Sequence, residues 1–163
     1  MTRDDQILKK DRMRYTKNKL SANLVLLAIV FDALYFVSIY KTDVGTYFYT
    51  WVIGASIIYN LLFLLIAFLA SEGVKNRKHG YSALLVILGI MQIARVFYLP
   101  AQAHSATVIV NGVELVVMGD QQYLYVIVCL AASAVCCVAA AVTSYLNNRT
   151  LAEYLRSLEN QSA

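Results

Sequence analysis

Four apolar runs, spanning residues 20–40, 47–70, 81–99 and 123–146, decide what this chain can fold into. A helix rises about 1.5 Å per residue and a bilayer's hydrocarbon core is about 30 Å thick, so each run is long enough to cross. Hydrocarbon offers no partner to backbone N–H and C=O groups, so a crossing segment must be a helix or part of a closed barrel. Four segments are too few for a barrel. The predicted fold class is therefore all-α integral membrane: a four-transmembrane-helix bundle. Pro100, the sole proline, is expected to end the third helix, because its ring and missing N–H break a helix interior.

Composition agrees, with 60% hydrophobic residues and a mean hydropathy of +0.59 over 163 residues. The net charge of +4 could suggest nucleic acid. The basic residues, however, flank apolar runs, where anionic lipid headgroups are their natural partners. Nucleic acid is not an expected partner.

The placement of those cations predicts orientation. Arg3, Lys9, Lys10, Arg12, Arg14, Lys17 and Lys19 precede the first run; Lys75, Arg77 and Lys78 lie between the second and third; Arg149 and Arg156 follow the fourth. Lys41 alone lies in the first connection, and residues 101–122 contain no Lys or Arg. Cytoplasmic loops carry the excess of Lys and Arg, so both termini are expected in the cytoplasm. Tyr40, Tyr47, Tyr49, Trp51, Tyr98, Tyr123 and Tyr125 then fall at the outer interface, where amphipathic rings settle. The first run has no small-residue cleavage site after it and reads as an uncleaved anchor, and the expected location is a bacterial plasma membrane.

This gives three regions: a basic arm (1–19), the transmembrane bundle (20–146) and a tail (147–163). The arm suits an anionic leaflet or serves only to set topology. In the tail, Leu151, Tyr154, Leu155 and Leu158 recur at helical spacing, predicting a short cytoplasmic amphipathic helix that rests on the membrane or on a partner. Between the third and fourth runs, residues 106–118 contain two β-rich stretches around Asn111-Gly112, a dipeptide suited to the two positive-φ positions of a type I′ turn. A small extracellular β-hairpin is expected, its apolar side chains either capping the bundle or meeting a partner.

Polar residues inside the runs are the candidate functional groups, because they are costly in hydrocarbon. Counting about 1.5 Å per residue from the cytoplasmic ends places Asp32, Asn60 and Gln92 roughly 17 Å deep, with Ser133 and Arg95 near 20 Å. Asp32 with Tyr35, Ser56 with Asn60, and Gln92 with Arg95 are spaced to share a helix face. The layer is either structural, an Asp32–Arg95 pair with amides and a hydroxyl bonding between helices, or a binding site or proton relay. Arg95 has a third option, extending outward to the interface.

Small residues mark the fourth run as a packing face, with Ala132, Cys136 and Ala140 repeating every four positions beside Ser133, Cys137 and Ala141. Cys129, Cys136 and Cys137 lack the spacing of a metal or redox pair, and His79 and His104 fall in loops on opposite sides. No phosphate loop, Ser/His/Asp set or zinc motif occurs, so neither metal nor cofactor is expected. The sequence therefore points to a non-enzymatic accessory or scaffolding subunit of a larger membrane complex, associating with other subunits or with itself. A small oligomeric ion or solute transporter or channel built on Asp32 and Arg95 is the alternative, with an intramembrane lipid-modifying enzyme third.

Overall fold

The computed structural model describes residues 17–40, 51–78, 80–111 and 113–162. Its elements are α1 (Lys19–Tyr40), α2 (Trp51–Lys75), α3 (Tyr81–Val96), α4 (Leu99–Ser105), β1 (Thr107–Val110), β2 (Val113–Val116) and α5 (Asp120–Ser162). Four helical stretches are long and apolar enough to cross a membrane, and together they form a transmembrane bundle. Helix α5 packs along both α1 and α3, α1 also packs on α2, and α2 meets α3 less closely than any of these neighbours meet.

Two apolar cores lie one above the other. One contains Val25, Phe63, Ala67, Val74, Leu85, Cys137 and Ala140; the other, nearer the hairpin, contains Tyr35, Ile39, Leu99, Met118, Val126 and Leu130. The outward faces carry Leu27, Leu61, Leu65, Ile87, Ile90, Val128 and Val135, all exposed, as a lipid-facing surface requires.

The end opposite the hairpin is laced by hydrogen bonds. Asn18 caps α1, its Oδ1 accepting from the Ser21 N–H (3.3 Å), while its own N–H donates to the Lys75 carbonyl at the end of α2 (3.0 Å). Asn147 Nδ2 on α5 donates to the same Asn18 Oδ1 (3.1 Å), and Arg77 Nη1 donates to the Asn147 carbonyl (2.7 Å). One side chain thus joins the start of the first span to the fourth. Asn18→Ala removes the cap and the interhelical bond, and should cost about 1–2 kcal/mol in a thermal or denaturant unfolding titration in detergent. A loss below about 0.5 kcal/mol would show that water replaces both bonds without penalty.

Helix α2 ends in a Schellman motif: the Lys78 N–H bonds the Gly73 carbonyl, and the Arg77 N–H bonds that of Val74. Arg77 occupies the left-handed position (φ 55°) that glycine usually takes, and its bond to α5 offsets that strain. Just before this turn Gly73 lies flush against the Tyr81 ring, where a Cβ would overlap the ring atoms. At Gly89 a Cβ would lie 3.1 Å from Val138 Cγ2 and 3.3 Å from the Ala134 carbonyl oxygen, so α3 and α5 approach closely there.

Several expectations change. The third helix stops at Val96, and Pro100 lies in the first turn of α4, where a missing N–H does no harm. The second helix runs to Lys75, five residues beyond the expected 70, and its expected start at 47–50 falls outside the described residues, as does the arm through residue 16. The tail is not a separate helix: α5 continues unbroken for 43 residues, about 64 Å at 1.5 Å per residue. Both rows of small residues contribute to the packed face: Cys136 and Ala140 of the first and Ser133, Cys137 and Ala141 of the second are buried, and Ala132 is half-exposed.

The hairpin forms with Thr107 opposite Val116 and Val110 opposite Val113, and Asn111 adopts φ 54° at the turn. It does not cap the bundle. Every β2 residue is exposed, and Ile109 is 70% exposed. Its base is anchored by buried Met118, by the Val117 N–H on the Ala106 carbonyl, and by His104 stacked on Tyr123 at 4.2 Å.

Candidate functional site

Between the two apolar cores the polar side chains close into one network. Asp32 Oδ1 accepts from Arg95 Nη1 at 2.6 Å and from Gln92 Nε2 at 2.9 Å. Arg95 Nη1 also donates to Gln92 Oε1 (3.2 Å), and Arg95 Nη2 to Asn60 Oδ1 (2.7 Å). Gln92 Nε2 reaches Ser133 Oγ (3.3 Å), which donates to the Ala28 carbonyl (3.0 Å). All four spans are joined through these contacts.

The chemistry of each group dictates its place. A guanidinium has five N–H donors and no acceptor, whereas a carboxylate only accepts. Gln92 offers both, so its oxygen faces Arg95 while its nitrogen faces Asp32 and Ser133. Reversing the amide would set N–H groups against a cation and an oxygen against an anion. Asp32, Gln92 and Ser133 are 0% exposed and Arg95 is 7% exposed, so Arg95 turns inward rather than extending to the interface. Its charge is balanced by Asp32, and its carbon lies 4.4 Å from the Tyr35 ring centroid and 4.5 Å from that of Tyr59, where ring quadrupoles attract a cation.

The expected layer of Asp32, Tyr35, Ser56, Asn60, Gln92, Arg95 and Ser133 divides in two. Asp32, Asn60, Gln92, Arg95 and Ser133 are mutually bonded; Tyr35 joins through its ring face. Ser56 is not among the residues that hydrogen-bond in this network, and it borders a cleft of about 310 Å³ between α2 and α3, together with Tyr35, Tyr59, Ala94, Arg95 and Leu99. Asp32 Oδ2 and the hydroxyls of Tyr35 and Tyr59 are buried without a hydrogen-bond partner among the described residues.

Tyr59 was absent from the sequence-based set. Its signal is a tyrosine within a span, away from both interfaces where tyrosines collect, and three residues from Ser56. The network itself can fasten helices and hold a balanced charge pair at depth. Among the described residues no cluster of metal-binding side chains occurs, and the three cysteines are free thiols. Searches against protein-family models, curated proteins and solved structures gave no match to this chain.

Proposed function

We propose that this protein is a non-enzymatic accessory subunit that organises a larger membrane assembly, with the bundle as a rigid platform and its two projections as contact surfaces. The observation that carries this reading is the length of α5. Its roughly 64 Å exceeds a hydrocarbon core of about 30 Å by about six helical turns, so the helix extends well past the bundle. Beyond Asn147 it carries Leu151, Tyr154 and Leu155 at helical spacing, with Leu155 45% exposed. At the opposite end the hairpin holds Ile109, Val113, Leu115 and Val116 in the open, where a marginal two-stranded ribbon gains from a partner.

The Lys and Arg distribution supports an orientation with both termini and the α2–α3 turn in the cytoplasm of a bacterial plasma membrane, and the hairpin outside. Lys75, Arg77 and Asn147 share the end of the bundle that holds Asn18, as this orientation requires.

The test is stoichiometric co-purification in mild detergent. Other polypeptides should elute with the full chain at a fixed ratio and be lost on truncation after Asn148 or with the Leu151→Glu/Leu155→Glu variant, while the bundle keeps its helical content. Elution of the full chain as a lone monomer would overturn the proposal. The carrier reading draws on one observation, the Oδ2 of buried Asp32, which has no hydrogen-bond partner among the described residues, and is separated from the first by solute flux in reconstituted vesicles.

A further inference from the structure

We propose that the cleft between α2 and α3 is a binding site, reached laterally from the bilayer, for a neutral lipid-soluble molecule whose head presents carbonyl oxygens. The cleft arises from how the two helices diverge. Gly73 and Tyr81 hold them together beside their short connection, and the opening lies at the opposite end, where Ala55, Ser56 and Tyr59 face Met91, Ala94 and Tyr98. Its walls are mostly apolar, and Met91 and Tyr98 are exposed at its margin, so the mouth meets lipid rather than water. A mostly apolar pocket with a few convergent polar groups is the usual form of a small-molecule site, and about 310 Å³ is at the small end of that range.

The polar groups select the head. Arg95 commits three of its five N–H groups to Asp32, Gln92 and Asn60, and it can only donate. The phenols of Tyr35 and Tyr59 lack a hydrogen-bond partner among the described residues, and Tyr35, 0% exposed, lines the cleft together with Ser56. These groups call for acceptor oxygens. Charge excludes the ionic alternatives: Asp32 already balances Arg95, so a carboxylate or ammonium head would bring an uncompensated charge to membrane depth. Two sources share the required chemistry, the ring carbonyls of a quinone-type lipid and the ester carbonyls of a neutral glycerolipid.

The experiment uses the full chain in a neutral detergent and a decyl-tailed benzoquinone as probe, read by quenching of Trp51, the single tryptophan, one turn from Ala55. Quenching should saturate. Ala55→Leu and Ala94→Leu fill the cleft from exposed positions whose side chains take no part in the polar network, and should weaken binding roughly tenfold with an unchanged melting temperature. Tyr35→Phe should weaken binding several-fold with little change in melting temperature, since it keeps the ring over Arg95 and removes a hydroxyl that has no hydrogen-bond partner among the described residues. Displacement by dioctanoylglycerol assigns the site to glycerolipid esters, and its failure assigns it to the quinone ring. Unsaturable quenching that is identical in Ala94→Leu would overturn the proposal, as would equal displacement by decanoate or decylamine.

Discussion

Replacing Arg95 by methionine is expected to cost the bundle about 3–5 kcal/mol, because it leaves the Asp32 carboxylate buried without its cation. The loss reaches beyond one ion pair. Asn60 Oδ1 and Gln92 Oε1 lose their donor at the same time, so two further spans are left with an unsatisfied acceptor, while Asp32 Oδ1 keeps only its bond from Gln92. Removing both charges with Asp32→Val and Arg95→Met should recover most of the stability, since an apolar pair of suitable volume can replace a buried ion pair at little cost. Unfolding titrations of the single and double variants measure both quantities. A single-variant loss under about 1 kcal/mol would show that the pair does not hold the bundle together. A double variant no better than the single would place the cost in the amides.

The second large effect is expected at Gly73. A methyl group there would occupy the space of the Tyr81 ring near its attachment point, so the ring must leave or the α2–α3 turn must shift. Overpacking of this kind costs about 1–3 kcal/mol. Gly73→Ala should therefore destabilise strongly by itself and far less in a chain that also carries Tyr81→Ala. A double-mutant cycle should show a coupling of about 1–3 kcal/mol between the two positions. Additive losses would mean that the glycine is needed for its backbone, not for the space above it.

The polar layer was legible in the sequence because lipid leaves little freedom. A fixed rise per residue turns position into depth, and groups at one depth on adjacent helices must find each other. Asp32, Asn60, Gln92, Arg95 and Ser133 met as that count implies. The direction of Arg95 was not legible, because it depends on Tyr35, Tyr59 and Asn60 arriving from two other helices. The extent of α5 was hidden for another reason. Asn147, Asn148 and Arg149 end the apolar run, but a helix leaving the membrane needs only tolerable propensity and its own backbone bonds to continue. The end of α2 carried no glycine signal, since Arg77 takes the left-handed position and a bond across the bundle supports it there. Pro100 was read correctly as incompatible with a helix interior, but the break precedes it and a new helix starts around it.

The charge pair also sets a schedule for biosynthesis. Asp32 and Arg95 are 63 residues apart, so at about 5–20 residues per second the first span waits roughly 3–13 s for its counter-ion to be synthesised. Ser133, which completes the layer, comes later still, 41 residues after Gln92. During that interval a span with a bare aspartate at its middle has little reason to diffuse into lipid and good reason to remain beside the insertion machinery. The charge pair can therefore close only once the third span is made, and the polar layer is complete only with the fourth.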